Sequence, residues 1–227
     1  MFNPKGILFD LDGTLVDSVP DIGNAANLML TALDMPNHSD QLLQSWVGNG
    51  TPQLVKRALT GSLDEEPQEQ LFNRALGLFQ ETYAEHIFER SRLYPGVFQT
   101  LGRFASVGID MACVTNKPTR HTGLLLEKSG IAHFFSCTVA GDTLAQRKPE
   151  PEQLLHAAAL LGLKPDQCVM VGDSQNDIVA AKAAGMPVLC LTYGYNQGQD
   201  LSASQPDVLV DTFGELTNWI SLTTKQI

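Results

Sequence analysis

The distribution of apolar residues along the chain marks six short runs that are bounded by turn residues and lack polar alternation. Most are rich in Val, Ile or Cys, and they span residues 6–9, 109–114, 137–140, 168–171, 188–191 and 208–210. Runs of this length and pattern are typical of strands that are buried on both faces of a parallel sheet. We therefore predict a mostly parallel β-sheet built from these segments.

From the middle of the chain onward, helical patterns separate the predicted strands. They cover residues 97–107, 118–129, 151–161 and 175–184. Pro151 opens the third of these segments, and a glycine follows the last three, as expected where helices begin and stop. Because strands and helices alternate, the chain needs right-handed crossovers, which predicts a doubly wound, Rossmann-like α/β fold.

The first predicted strand is followed by a long stretch in which no segment has the pattern of a strand. Apolar residues recur there at helical spacing over 17–33, 40–46, 51–61 and 67–89. We predict that residues 17–92 form an inserted all-helical cap domain, and that residues 1–16 and 93–227 form the α/β core. Residues 194–206, polar and rich in Gly, Ser and Gln, are predicted to form a surface loop.

The composition narrows the class of protein without naming its chemistry. Of the 227 residues, 43% are hydrophobic and 18% are charged, as in an ordinary globular protein that buries a substantial core. The net charge of −10 makes the chain a poor counterion for nucleic-acid backbones, so no nucleic-acid partner is expected. No apolar run approaches the roughly 18 residues of a membrane span, and the N-terminal segment lacks a signal-peptide pattern. We expect a cytoplasmic monomer or homodimer with no membrane partner.

Several predicted strands end in reactive polar residues. The first is followed by Asp10-Leu11-Asp12-Gly13-Thr14, the second by Thr115-Asn116, and the fourth by Gly172-Asp173-Ser174-Gln175-Asn176-Asp177. Lys148-Pro149 lies in the loop after the third strand. Because ligands bind at the carboxyl ends of strands in open α/β sheets, we expect these residues to meet at one edge.

Four carboxylates would share this edge: Asp10, Asp12, Asp173 and Asp177. Unpaired carboxylates in one crevice repel one another and shift their pKa values. A hard divalent cation relieves the repulsion, and Mg²⁺ prefers one or two carboxylates together with water and phosphate oxygens. We therefore predict Mg²⁺ as the cofactor.

The remaining groups at this edge suit the transfer of a phosphoryl group. Lys148 and Thr115 supply donors for phosphoryl oxygens. Asp10 is placed to attack phosphorus as a nucleophile. Asp12, two residues further on, is placed to protonate the leaving oxygen and then to activate water.

The four motifs together resemble those of the haloacid dehalogenase superfamily of phosphohydrolases, and the resemblance extends over about residues 6 to 220. It implies an aspartyl-phosphate intermediate on Asp10, acid–base catalysis by Asp12, and phosphate binding by Thr115 and Lys148. It also implies a helical cap after the first motif, where residues 17–92 lie. The implied Mg²⁺ ligands are Asp10, the backbone carbonyl of Asp12 and Asp173, with Asp177 in the shell behind them.

Further stretches are similar to the bacterial members of the superfamily that hydrolyse 2-phosphoglycolate, which implies that small phosphorylated metabolite as substrate. They are residues 9–18, 46–50, 114–118 and 144–149. Gly48-Asn49-Gly50 leads directly into a predicted helix, and exposed N–H groups at a helix start favour an anion. We predict Asn49, Gly50 and Asn116 as substrate-binding residues. Lys117 or Arg147 could add a charge for the carboxylate, and the sequence leaves that choice open.

Three alternatives remain at this point. A phospho-acceptor signalling module also uses Asp, Thr, Lys and Mg²⁺, but it has no place for 76 inserted helical residues, and Asp12 would hasten loss of the phosphoryl group. A serine hydrolase using Ser174 would need a histidine base at the same edge. Other activities of the superfamily, such as those of a pyrophosphatase or a sugar-phosphate phosphatase or mutase, are separated only poorly by the sequence.

Overall fold

A computed structural model describes residues 1–196 and 200–222, and all structural statements below refer to this part of the chain. Its strands are β1 (Gly6–Phe9), β2 (Val16–Asp17), β3 (Arg92–Leu93), β4 (Asp110–Val114), β5 (Cys137–Val139), β6 (Cys168–Gly172), β7 (Val188–Leu191) and β8 (Val208–Val210). Its helices are α1 (Val19–Ala32), α2 (Asp40–Trp46), α3 (Thr51–Thr60), α4 (Glu69–His86), α5 (Val97–Ser106), α6 (Thr119–Lys128), α7 (Glu152–Leu160), α8 (Gln175–Ala184) and α9 (Leu216–Trp219). Within the described residues, no helix is both long enough and apolar enough to cross a membrane.

Six of the strands form one parallel sheet in the order β5-β4-β1-β6-β7-β8. β1 is central, with Leu8 paired to Ala112 of β4 and to Met170 of β6. The predicted strands are therefore confirmed, and so is the doubly wound α/β class.

The side chains of β1 divide the core between the two faces of the sheet. Phe9 packs on one face, where its ring lies 6.4 Å from that of Phe104 on α5. Leu8 belongs to the second core, with Leu154 of α7 and Ile178 of α8. Because both faces are covered, the strands lack polar alternation, which is why their pattern was readable in the sequence.

The four helices α1 to α4 lie between β2 and β3 and pack against one another. β2 and β3 form an antiparallel ribbon in which Val16 pairs with Leu93 and Asp17 with Arg92. The prediction that the chain has no strand between Phe9 and residue 109 was wrong here, because two-residue strands are too short to show a period. We propose that this ribbon is the hinge between core and cap, since the expected boundaries 16/17 and 92/93 fall within it.

Candidate active site

The loop after β1 packs closely against the side chain of Asp173. The backbone N–H of Asp10 donates to the carbonyl of Val171 at 2.9 Å, which continues the sheet by one residue. Gly13 has φ +90°, and a Cβ atom there would lie 2.3 Å from Oδ2 of Asp173. The hydroxyl of Thr14 donates to Oδ1 of Asp173 at 2.6 Å. The Asp-x-Asp-Gly-Thr spacing thus places the loop after β1 directly against Asp173 of the motif that follows β6.

Lys148 joins two of the predicted carboxylates. Its ammonium lies 2.8 Å from Oδ1 of Asp10 and 2.7 Å from Oδ1 of Asp177, and it donates to the carbonyl of Val114 at 2.8 Å. The side chain is 2% exposed. Burial acts to lower the pKa of Lys148, but the charges of Asp10 and Asp177 outweigh it, so the pKa is raised and the lysine is charged.

Three of the carboxylates at this edge lie close together. Oxygens of Asp10, Asp173 and Asp177 lie within 4.8 Å of one another. Burial raises the pKa of Asp10 to about 7, with Lys148 opposing and Asp177 adding to the rise. Burial also raises the pKa of Asp173, and the charges of Asp10 and Asp177 raise it further. A hard divalent cation bound to these oxygens would stabilise their ionised forms, so the donor set fits a metal such as Mg²⁺.

Asp177 is the least available of these carboxylates. Its Oδ2 accepts hydrogen bonds from the N–H groups of Asp173 and Ser174 and from the Ser174 hydroxyl, at 2.7–3.2 Å. Its Oδ1 is engaged by Lys148. These contacts close the start of α8 and leave Asp10 and Asp173 as the carboxylates with capacity for a metal.

Asp12 occupies a different environment from Asp10. Its two carboxylate oxygens lie 3.0 and 3.1 Å from the ammonium of Lys117, and the hydroxyl of Ser18 donates to it at 2.5 Å. The same ammonium lies 4.5 Å from the ring centroid of Tyr83, which projects from α4. Burial acts to lower the pKa of Lys117, but Asp12 and Tyr83 together outweigh it, so the pKa is raised.

A cavity of about 60 Å³ lies between these residues and the helices that cover them. Its polar floor includes Asp10, Asp12, Thr115, Asn116, Lys117, Lys148 and Asp173. Its roof is mostly apolar and includes Ile22, Val47, Leu54, Phe79 and Tyr83, together with Gly48 and Gly50. The structure therefore brings most of the predicted site residues around one space that can hold a small molecule.

The predicted cap loop meets the core mainly through oxygen atoms. Nδ2 of Asn116 donates to the carbonyl of Lys148 at 2.8 Å and to that of Gly48 at 3.4 Å. Nδ2 of Asn176 donates to the Gly48 carbonyl at 3.4 Å and to Oδ1 of Asn49 at 3.2 Å. Asn49 lines a neighbouring opening and not the main cavity, whereas Gly48 lines both.

The sequence did not indicate the part that Tyr195 plays in this site. Its N–H donates to Oδ2 of Asp173 at 2.6 Å, and its hydroxyl donates to Asp17 and accepts from the N–H of Val19 at 3.0 Å. The prediction of a surface loop over 194–206 was wrong at Tyr195 and at Leu201, because both side chains are buried. Residues 197–199 of that segment lie outside the described residues. The one signal in the sequence was that Tyr195 is the single aromatic residue in a largely polar stretch.

The sequence and the fold of this chain are similar to those of known hydrolases. A family model for haloacid dehalogenase-like hydrolases matches residues 4–185. A phosphoglycolate phosphatase of Nitrosococcus oceani is 44% identical over 218 residues, covering 96% of this chain and 97% of that protein. One from Salmonella typhimurium is 42% identical, with 94% and 91% covered. The crystal structure of a predicted phosphoglycolate phosphatase from Haemophilus somnus 129pt superposes with a TM-score of 0.91 at 40% identity, covering 96% of this chain and 99% of that one.

Proposed function

This chain belongs to the haloacid dehalogenase-like hydrolases, and we propose that it hydrolyses 2-phosphoglycolate to glycolate and phosphate with Mg²⁺ as its cofactor. The observation that carries the proposal is the arrangement of Asp10 under the cavity, paired with Lys148 and next to Asp173. The substrate is supported by relatives of similar length that are named for this activity.

In the first half of the reaction, a carboxylate oxygen of Asp10 attacks phosphorus. The new oxygen–phosphorus bond forms as the bond from phosphorus to the ester oxygen breaks, and Asp12 gives its proton to that oxygen as glycolate leaves. Thr115 and Lys148 hold the phosphoryl oxygens by hydrogen bonds.

In the second half, the ionised Asp12 takes a proton from water, and the water oxygen bonds to phosphorus. The bond between phosphorus and Asp10 breaks, which releases phosphate and restores the carboxylate. When bound to Asp10, the backbone carbonyl of Asp12 and Asp173, Mg²⁺ would neutralise the charge that the phosphoryl oxygens bring. Asp177 holds Lys148 and the start of α8 in position for both halves.

The four helices between β2 and β3 supply the side of the cavity that faces away from the phosphoryl group. Asp10, Thr115 and Lys148 are placed to contact only that group, so discrimination between phosphate esters has to come from other residues that line the cavity. Gly50 and Asn116, together with the neighbouring Asn49, are the candidates that the sequence analysis put forward for this role.

The proposal is tested by measuring phosphate release from a panel of small phosphoesters with added Mg²⁺. We expect 2-phosphoglycolate to give the highest kcat/KM of the panel. Asp10→Asn should abolish turnover without unfolding, because an amide cannot displace an alkoxide from phosphorus. Activity of this variant within tenfold of the wild type would contradict the mechanism. A faster reaction with pyrophosphate or a sugar phosphate would replace the substrate and leave the mechanism standing.

A further inference from the structure

We propose that Lys117 is the residue that binds the carboxylate of the substrate. This inference rests on the proposed hydrolysis of 2-phosphoglycolate, and it decides between the two cations that the sequence left open. It also assigns recognition of the carboxylate to the core and not to the cap loop, because Lys117 lies in the loop that follows β4.

The position of Lys117 suits a ligand in the cavity. Its side chain is almost wholly buried and lines the same space as Asp10 and Lys148. Its backbone N–H donates to the hydroxyl of Thr115 at 3.1 Å, so the residue is fixed beside a phosphate-binding group. A molecule with an anion at each end would therefore meet one lysine from each of two neighbouring loops.

The hydrogen-bonding capacity of the two lysines differs. Among residues 1–196 and 200–222, Lys117 and Lys148 are the cations that line this cavity. An ammonium group has three donors, and those of Lys148 already face Asp10, Asp177 and the carbonyl of Val114. A phosphoryl oxygen bound at Lys148 shares these donors, which leaves none for a second anion. Lys117 directs its hydrogen bonds to the single carboxylate of Asp12. It therefore retains capacity for a second anion.

The competing candidates fit a carboxylate less well. Arg147 approaches Gly50, where its Nη1 would lie 2.9 Å from an added Cβ atom, but it is not among the residues that line the cavity. At the start of α3, Pro52 has no N–H to offer, so this helix terminus has one donor fewer. The loop before it presents the carbonyl of Gly48 and the amide oxygen of Asn49 to donors of the core.

The cap completes this subsite through Tyr83. The face of its ring covers the ammonium of Lys117, and the ring itself is held by Phe79 at 5.8 Å and by His121 at 5.0 Å. The attraction between an ammonium group and a carboxylate is screened less in a site that is shielded from water than it is in water. When substrate enters, Lys117 shares its donors between Asp12 and the carboxylate, and Ser18 keeps its hydrogen bond to Asp12.

The experiment compares kcat/KM for 2-phosphoglycolate with that for ethyl phosphate, which has the same chain length and no carboxylate. A charge-assisted hydrogen bond predicts that Lys117→Met lowers this ratio by about ten- to 150-fold. Loss of the contact to Asp12 slows both substrates, so the ratio separates recognition from a merely structural role. Arg147→Met is the matched control and should leave the ratio unchanged. Lys117→Gln gives the same comparison if the Met variant does not fold.

Each outcome decides one point. Equal losses for both substrates in the Lys117 variants would show that Lys117 only positions Asp12, and would overturn the inference while the proposed function stands. A fall in the ratio for Arg147→Met, with none for Lys117→Met, would assign the carboxylate to Arg147 instead. Failure of the wild type to prefer 2-phosphoglycolate over ethyl phosphate would overturn the proposed substrate itself.

Discussion

Replacing Lys148 by Met should destabilise the protein far more than the loss of an ordinary ion pair. The substitution keeps the length of the side chain and removes the charge between Asp10 and Asp177. Asp177 is fully buried and would lose its counterion. Removing one partner of a buried ion pair costs about 3–5 kcal/mol, because the charge that remains is neither solvated nor compensated.

A surface pair with the same separation provides the reference for this magnitude. The ammonium of Lys56 lies 2.7 Å from Glu66, as near as Lys148 lies to Asp177, but the Glu66 side chain is 68% exposed. Exposed pairs contribute about 0–1 kcal/mol to stability, because water and salt screen them. Lys56→Met should therefore cost less than about 1 kcal/mol. The difference in the free energy of unfolding between the two variants should therefore come from the burial of the ion pair, because the two distances are equal.

The free energy of unfolding is measured by urea denaturation, with EDTA present so that bound metal does not compensate for the lost lysine. The double variant Lys148→Met/Asp177→Asn should recover more than about 1 kcal/mol relative to Lys148→Met, because the two residues are in contact and their effects do not add. Equal losses for Lys148→Met and Lys56→Met, or strict additivity in the double variant, would refute this account of the site.

Three further predictions test other residues. Asp12→Asn should lower kcat by about 10²–10⁴ for alkyl phosphates and by less for aryl phosphates, whose leaving groups need no proton; equal losses in steady-state assays would argue against acid–base catalysis. Asp173→Ala should weaken Mg²⁺ binding in calorimetry and raise the Mg²⁺ requirement for activity; unchanged binding would remove Asp173 from the metal site. Burial, helped by the charge of Lys117, lowers the pKa of His121 to about 4. Between pH 6.5 and 4 the unfolded chain therefore binds more protons than the folded one, and the free energy of unfolding falls as the pH drops through this range. His121→Gln should reduce that fall by about 2 kcal/mol, measured by urea denaturation at several pH values. An unchanged pH dependence in this variant would contradict the prediction.

Much of the fold was predictable because the sheet is buried on both faces. A strand such as β6 then appears as an unbroken apolar run, and the helices around it end at glycines such as Gly185, which has φ +71°. The β2–β3 ribbon was not predictable in the same way. It rests on pairing between residues that are distant in the chain, such as Val16 and Leu93, and two residues per strand carry no period.

The meeting of the candidate catalytic residues at one edge of the sheet was predictable from topology, but the pairing of their side chains was not. Parallel strands deliver Asp10, Thr115 and Asp173 to one edge by geometry alone. Which ammonium lies against which carboxylate depends on side chains from separate loops. Nothing in the sequence distinguishes Lys117 from Lys148 in this respect. In the structure, Lys148 forms ion pairs with two carboxylates and Lys117 forms an ion pair with one.

The contacts of Tyr195 connect Asp173 to the β2–β3 ribbon and to the start of α1. Its backbone N–H holds Asp173, and its hydroxyl bridges Asp17 of the ribbon and the N–H of Val19 at the start of α1. A Cβ atom on the preceding Gly194 would lie 2.2 Å from Asp173, so the backbone of this loop lies directly against that carboxylate. Movement of α1 against the core must either carry Tyr195 along or break its bonds to Asp17 and Val19. The positions of α1 and Asp173 are therefore not independent, although the two lie in parts of the sequence that are far apart.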